Sequence, residues 1–382
     1  MRRYLYLLKD KLGSSRFPLR DIRAHVQGAA EWILRAQRAT PDDGVAHSYD
    51  LRKGAWYASY PETTGYIIPT LYDYARYYGA AGYADAAYRM AVWEAEVQLP
   101  DGAVRAGHMD AEVVAPTIFN TGQVLFGWAR AYRESGDEHM RSALERAADW
   151  LVAAQDADGA WRRFPSPFTT SKLNSYNTRS AFGLVRAYEV CARESWRAAA
   201  DHNVQWTIDR AQPNGWLPDN SLTTTPGGIA LTHTIAYSIR GILEVGAALN
   251  KPEYVEHALR MARAVAAQQR PDGALPGYLA PDWSPAARWT CVTGNSQMAI
   301  NWLRLTQIAG EKSLADHARR ANRFNMRIQD LDHPEPGVRG ALKGSHPIDG
   351  QYMAYRFPNW AAKFFMDALM LEELAATVET IG

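Results

Sequence analysis

The sequence Gln-Asp-Ala-Asp-Gly-Ala-Trp at residues 155–161 is the fullest copy of a pattern that recurs along the chain. A glutamine ends a stretch that has one apolar stripe, and an Asp-Gly pair follows that supplies the positive φ of a tight turn. Glutamines in the equivalent place recur at intervals of 61, 57, 57, 57 and 60 residues: Gln37, Gln98, Gln155, Gln212, Gln269 and Gln329. Such a period predicts a repeat architecture, in which each unit buries its apolar surface against its neighbours.

Each repeat contains two kinds of predicted helix. The helix that ends at the glutamine has a single apolar stripe, as in residues 141–154, which predicts a position on the outside of the fold. The second helix is apolar nearly all round, which is typical of a buried helix. These inner helices are predicted at residues 65–78, 121–132, 178–190, 232–247, 294–308 and 359–374. Most begin at a residue type that caps helices: Thr64, Asn120, Asn177, Thr232, Thr293 and Asn359.

Six outer and six inner helices predict an all-α (α/α)6 toroid. We expect residues 1–382 to form a single toroid domain, with residues 1–24 as an N-terminal helical extension. The links from inner to outer helices are short, whereas those from outer to inner helices are long, as between Gln37 and Thr64. Long loops in a compact domain are usually functional. All six should open on one face, around the N-termini of the inner helices, and that face is the candidate cleft.

Composition excludes several classes of function. The 382 residues include 42 Lys and Arg against 41 Asp and Glu, so there is no basic excess for a phosphate backbone and no nucleic-acid partner is expected. The two cysteines, Cys191 and Cys291, provide neither a disulfide framework nor a four-ligand zinc site. The His-x-Asp-x-Glu stretch at 108–112 has the spacing of no common metal site, so neither metal nor cofactor is expected. The 13 Trp and 20 Tyr residues suit a sugar-binding cleft, although aromatic residues also fill cores.

The N-terminal sequence does not have the pattern of a secretory signal. Its apolar run at residues 4–8 is cut by Lys9, Asp10 and Lys11, whereas a signal core needs about 7–15 apolar residues. No stretch approaches the roughly 20 apolar residues of a membrane span. We therefore expect a soluble, cytoplasmic protein, and the oligomeric state stays open.

The motif at residues 155–161 resembles the QW motif of squalene and hopene cyclases, with about four partial copies elsewhere. Terpene cyclases of that family need an Asp-rich proton donor, which this chain lacks. Prenyltransferases and lanthionine cyclases share the toroid but need zinc ligands that are missing here. The chain more closely resembles the toroidal enzymes that handle uronates: polysaccharide lyases, glucuronyl C5-epimerases and unsaturated glucuronyl hydrolases. This resemblance implies a saccharide substrate that contains uronic acid.

Two catalytic schemes compete within that group. Inverting hydrolysis needs two carboxyl groups about 6.5–9.5 Å apart. Glu62 and Asp349 belong to the first and sixth repeats, which become neighbours when the ring closes. Proton abstraction at C5 of a uronate instead needs a base, an acid and a group that holds the carboxylate.

The residue types favour proton abstraction. His233 and Tyr237 lie one turn apart on one helix face, and the helix N-terminus favours the neutral imidazole that a base requires. Glu62 and His233 also have structural explanations, as a helix-terminal carboxylate and a core histidine. A non-catalytic glycan-binding protein is a further alternative. The candidate substrate-binding residues are Tyr57, Tyr60, His108, Asn177, Arg179, Trp283, Arg288, Asn295, Tyr355, Arg356 and Lys363.

Overall fold

Thirteen α-helices make up most of the chain that the structure, a computed structural model, describes, namely residues 2–13 and 16–381. They are α1 (Arg2–Lys11), α2 (Ile22–Arg38), α3 (Pro61–Tyr78), α4 (Ala81–Glu96), α5 (Ile118–Ser135), α6 (Glu138–Ala154), α7 (Thr178–Cys191), α8 (Glu194–Asp209), α9 (Thr232–Ala248), α10 (Pro252–Ala266), α11 (Val292–Ala309), α12 (Ser313–Ile328) and α13 (Asn359–Ile381). From α3 onward the odd-numbered helices form an inner ring, which closes where α13 packs on α3. Helices α4 to α12 with even numbers pack outside the inner helix that precedes them, and α2 packs on α13. This is the predicted (α/α)6 toroid.

Short antiparallel strands tie the long loops together. They are β1 (Ser48–Asp50), β2 (Ala55–Trp56), β3 (Ala230–Leu231), β4 (Tyr278–Leu279), β5 (Thr290–Cys291), β6 (Ser345–His346) and β7 (Arg356–Pro358). The sheets have the orders β2-β1-β7, β3-β4 and β5-β6. In the first of them Tyr49 lies opposite Phe357, so the loop of the first repeat pairs with the loop of the sixth. The loops therefore meet at the end of the ring where the inner helices begin, which we call the loop face.

The repeated glutamines join one repeat to the next. Gln155 shows the arrangement: its side-chain amide donates to the Gly159 carbonyl in its own turn (3.1 Å) and to the Ala199 carbonyl of α8 (2.9 Å). Gln98 and Gln269 make the same pair of hydrogen bonds. The glutamine period in the sequence therefore reflects a contact between successive outer helices.

The last glutamine closes the ring. Gln329 is fully buried and donates to the carbonyls of Gly340 (2.8 Å) and His25 (3.2 Å), the latter in α2. The His25 ring nitrogen Nδ1 lies 2.6 Å from the Gln329 side-chain oxygen. Gln212, by contrast, is exposed, and its side chain forms no hydrogen bond with a described residue. The fourth repeat thus has the glutamine but lacks its hydrogen bond to the next outer helix.

Most of the predicted caps of the inner helices are wrong, and only Asn177 occupies the N-cap position, where its side chain makes no capping hydrogen bond. Helix α3 begins at Pro61, so Thr64 lies inside it, where its hydroxyl accepts from the Val45 amide (2.9 Å) and donates to the Tyr60 carbonyl (2.9 Å). Asn120 likewise lies within α5 and donates to a loop carbonyl. Helices α3 and α5 therefore extend further towards the loop face than the sequence suggested, because these polar side chains satisfy loop backbone groups instead of helix ends.

The N-terminal helix α1 is anchored to the last repeat. Asp10 forms a fully buried ion pair with Lys343 (2.5 Å) and accepts a hydrogen bond from the Ile348 amide (2.8 Å). Tyr6 packs edge-on against Phe357, with ring centroids 5.9 Å apart. The loop that leads into α13 is therefore held from outside the ring. Among the described helices, none is long and apolar enough to cross a bilayer.

Candidate functional site

Aromatic and ionisable side chains form a continuous group at the centre of the loop face. Ring contacts of 4.3–5.8 Å join most neighbours in this group. The Trp360 indole donates to the Tyr352 hydroxyl (2.9 Å) and so links its two halves. We call the group the loop-face cluster; it consists of His47, Tyr57, Tyr60, Glu62, His108, His233, Tyr237, Tyr352 and Trp360.

Glu62 is the carboxyl group of the cluster. It is the second residue of α3, and its Oε2 accepts a hydrogen bond from the Tyr60 hydroxyl (2.5 Å). Burial raises the pKa of Glu62 to about 7, although the Tyr60 hydrogen bond opposes the shift. Glu62 therefore exists in both protonation states near neutral pH, as a general acid or base requires.

His233 provides a neutral imidazole close by. It is the second residue of α9, only 6% exposed, and its Nδ1 lies 2.7 Å from Oε1 of Gln297 on α11. Because that oxygen accepts a hydrogen bond, Nδ1 carries the proton and Nε2 keeps a free lone pair. Burial lowers the pKa of His233 to about 4, with the Gln297 hydrogen bond opposing. The ring is therefore uncharged at neutral pH.

Tyr237 neighbours both groups. Its ring centroid lies 4.5 Å from that of His233. Burial and the nearby Glu62 charge raise the pKa of Tyr237, and these effects outweigh the opposing effect of Arg179. The Tyr237 hydroxyl is buried beside the Tyr66 hydroxyl and the Gln297 side chain, whose hydrogen bonds act to lower its pKa. A protonated phenol is thus available to donate to a ligand.

Arg356 lies at the edge of the cluster. Its guanidinium donates to the Tyr57 hydroxyl (2.7 Å) and stacks 4.4 Å above that ring. The nearest carboxylate, on the fully buried Asp50, is 3.7 Å away and already accepts from the backbone amides of Arg52 and Lys53. Arg356 is half-buried, so its charge can still bind an anionic group that enters the cluster.

The structure brings some predicted site residues together and places others apart. Tyr57, Tyr60 and His108 lie in the cluster beside Glu62, His233 and Tyr237, with Arg356 at its edge. Asp349 forms an ion pair with Lys11 of α1 (2.8 Å). The ring of Tyr355 packs beneath the Arg52 guanidinium at 5.3 Å.

Three further predicted residues lie outside the cluster. Asn295 is fully buried between α11 and α12, where it accepts from the Leu275 amide and donates to the Ala321 carbonyl. Trp283 packs on Trp216, with centroids 5.0 Å apart. Arg288 is exposed, and no described residue forms an ion pair or hydrogen bond with its side chain. Asn295 and Trp283 thus hold the fold together in this region.

Arg179 and Lys363 line a cavity on the other side of the cluster. This barrel cavity has a volume of about 700 Å³ and runs along the axis of the ring towards the C-terminal ends of the inner helices. Tyr66, Tyr237 and Gln297 form its upper end, beneath the cluster. Asn177, just before α7, is buried, and its side-chain oxygen has no partner among the described residues.

Several cluster residues were not among the sequence candidates. His47 and Tyr352 lie in long loops without a distinguishing motif, and Trp360 and Gln297 lie in the first turns of inner helices. The sequence pointed to Gln297 only through its place in the first turns of α11, the helix that packs beside α9 in the ring. Among the described residues, no group of three or more His, Cys, Asp and Glu side chains is placed to hold a metal ion.

Comparison with known proteins identifies relatives in fold only. No protein-family model and no curated protein sequence matches the chain. An unsaturated glucuronyl hydrolase specific for heparin superposes with a TM-score of 0.73 at 18% identity, over 93% of this chain and 98% of the other. A D-mannose isomerase has a TM-score of 0.72 at 12% identity (93% and 97% covered). A cellobiose 2-epimerase from Bacillus thermoamylovorans B4167 has a TM-score of 0.69 at 9% identity, over 90% of this chain and 98% of the other. The toroid of this chain is therefore one on which a hydrolase, an isomerase and an epimerase are also built.

Proposed function

We propose that the protein is a carbohydrate-active enzyme that acts at the loop face on a uronic-acid-containing oligo- or polysaccharide, by proton transfer at C5. One observation carries the proposal. A carboxyl group with a pKa of about 7 and an imidazole held neutral both neighbour the same phenol, in a cluster rich in aromatic rings. Titratable groups whose environments move their pKa values in opposite senses are typical of acid–base sites. Aromatic rings also suit the apolar faces of sugars.

The cluster assigns a role to each group. His233 takes the C5 proton on Nε2, and the electron pair moves into the substrate carboxylate to give an enediolate. Arg356 binds that carboxylate and stabilises its growing charge. Tyr237, whose ring lies 4.5 Å from that of His233, acts from the same side of the sugar and donates to the carboxylate. Return of a proton to the opposite face of C5, from Glu62, gives the C5 epimer. Loss of the 4-O substituent, protonated by Glu62, gives an unsaturated product instead.

Inverting hydrolysis is the second candidate, and the pKa of Glu62 favours it. A carboxyl that is half protonated near pH 7 suits the general acid of a glycosidase. The second carboxyl of that scheme, Asp349, is engaged with Lys11 of the N-terminal extension. Hydrolysis therefore requires this ion pair to break, whereas proton transfer uses groups that already lie together.

Three products distinguish the candidates. The protein is incubated in D2O with glucuronate-containing oligosaccharides, and the sugars are analysed by mass spectrometry, ultraviolet absorbance and a reducing-end assay. An epimerase incorporates deuterium at C5, a lyase produces an unsaturated chromophore, and a hydrolase produces new reducing ends without deuterium at C5. Deuterium or the chromophore supports the proposal. Reducing ends alone show hydrolysis, and saturable binding without any product shows a glycan-binding protein.

A further inference from the structure

The barrel cavity is lined by an unusual number of cations. Eight cationic side chains from all six inner helices line it: Arg76, Arg130, Arg133, Arg179, Arg186, Arg240, Arg304 and Lys363. Three carboxylates share the lining, on Asp73, Glu244 and Asp367, and Glu134 and Glu189 pair with arginines near the mouth. The cations still outnumber these five acids by three. Arginines in the last turn, such as Arg76, balance the helix dipole, but that explanation does not extend to the deeper ones.

Arg179 is the deep cation without a partner. Its side chain is 6% exposed and lines the cavity, yet it forms no ion pair or hydrogen bond with any described residue. Its guanidinium lies over the rings of Phe126 (4.2 Å) and Phe182 (5.1 Å). Burial lowers the pKa of Arg179 to about 10, so it remains charged at neutral pH. The carboxylates of Asp367 and Glu244 act on Arg179 without contacting it, and both already pair with other cations. A buried charge that lacks a direct partner is costly and favours the binding of an anion.

The depth of Arg179 follows from where α7 begins beside α9. A Cβ on Gly241, the tenth residue of α9, would lie 2.3 Å from the carbonyl carbon of Thr178, the first residue of α7. The start of α7 is therefore level with the middle of α9, deep in the ring. Arg179, the second residue of α7, therefore lies beside the middle of α9 and below the loop face.

Apolar side chains form much of the remaining wall. Phe126, Phe182, Phe364, Ile300 and Met370 line the cavity between the cations. A volume of about 700 Å³ lies within the range of small-molecule sites. We infer that the barrel cavity is a second binding site, beneath the loop-face cluster and sharing Tyr237 with it, for a small organic anion that joins a carboxylate or phosphate to an apolar or ring-shaped body, with Arg179 binding the anionic group.

Isothermal titration calorimetry with defined probes tests this inference. Phenyl phosphate and benzoate are titrated into the full chain, with phenol as the neutral probe and inorganic phosphate as the probe without a ring. We expect each aromatic anion to bind at least tenfold more tightly than phenol and than inorganic phosphate. Arg179→Met should weaken that binding about tenfold or more, since it removes a charge-assisted contact. Arg38→Met, which removes an exposed arginine of α2, should leave it unchanged.

A second variant keeps the test decisive if Arg179→Met does not fold. Ala129→Trp fills the cavity from α5 and should also abolish binding of phenyl phosphate. Glu62→Gln should leave this binding intact, because Glu62 lies in the cluster; a failure of the sugar chemistry is thereby distinguished from a failure of this site. No heat from either aromatic anion at 10 mM (a concentration about tenfold above a weak 1 mM Kd), or binding that survives in the folded cavity variants, overturns the inference.

Discussion

The loop-face cluster and the barrel cavity follow one another along the axis of the same ring, and each contains a glutamate whose pKa burial acts to raise. Burial raises the pKa of Glu62 in the cluster to about 7. Burial also acts to raise that of Glu244 in the cavity, but Arg240, Arg304 and Arg186 outweigh it and lower the pKa to about 2. One carboxyl therefore exchanges protons near neutral pH, whereas the other is a permanent anion. The difference shows that neighbouring charge, more than depth, decides what a buried acid can do.

The largest expected effect is on turnover. Glu62→Gln and His233→Ala should each lower kcat by about 10²-fold or more, because each removes general acid–base help. Wild-type kcat should fall as the pH rises through about 7, where Glu62 loses its proton, and Glu62→Gln should lack this dependence. Activity measured from pH 5 to 9 on the substrate found by the product assays gives both quantities.

Glu94 supplies the matched control. It is fully buried in α4, and burial raises its pKa as well, but it lies outside the cluster. Glu94→Gln should therefore keep kcat and its pH dependence. Equal losses in Glu94→Gln and Glu62→Gln would show that a buried acid matters only for folding. If neither variant loses activity, the cluster takes no part in the reaction.

The next effect is on stability at the cavity. Glu244→Gln should lower the free energy of unfolding at pH 7 by about 3 kcal/mol, because it leaves three arginines without their buried counter-ion. The folded pKa lies below the unfolded value, so Glu244 stabilises the fold above about pH 4.5 and this contribution is lost as the pH falls towards 2. Urea unfolding across this pH range measures the difference.

A half-exposed acid at the same end provides the control for Glu244. Glu189 pairs with Arg133 and Arg186, with 28% of its side chain exposed. Glu189→Gln should cost less than about 1 kcal/mol, as is usual for surface ion pairs. If Glu244→Gln lowers the free energy of unfolding no more than Glu189→Gln does, Glu244 does not stabilise the arginines of the cavity.

The smallest effect has the opposite sign. Glu62→Gln should raise the free energy of unfolding at pH 8 by about 1–3 kcal/mol, because the neutral amide avoids the cost of burying a carboxylate. The folded pKa lies above the unfolded value, so the gain should be largest above pH 7 and fade as the pH falls towards 4.5. The same urea series measures it. Destabilisation of both glutamine variants at pH 8 would contradict the contrast between the two regions.

The ring could be predicted because it depends on a repeated backbone contact. Gln98, Gln155 and Gln269 recur at multiples of 57 residues since each must reach its turn and the next outer helix. Most of the capping residues were misassigned because a Thr or Asn near a helix start can bond a loop as well as its own helix. Thr64 does so with the Val45 amide, and that partner is 19 residues away in sequence.

The site was only partly predictable, because the sequence does not show how deep a side chain lies along the ring axis. Arg179 and Lys363 lie near the starts of their helices, which suggested the loop face, yet both line the barrel cavity. In the case of Arg179 the reason is that α7 begins lower in the ring than its neighbours. The cavity itself could have been suspected from Arg240 and Arg304, which interrupt inner helices that are otherwise apolar.

The packing of α2 on α13 has a consequence for the order of events during synthesis. Trp32 and Ile33 of α2 are fully buried, and the Trp32 indole donates to the Gly337 carbonyl (2.9 Å), some 300 residues further along. As the ribosome makes the chain, the apolar face of α2 therefore stays exposed until the five helix pairs from α3 to α12 have been made and α13 follows. Partly made chains expose a surface that nascent-chain chaperones recognise, and closure of the ring is a late, non-local step that sets the pace of folding.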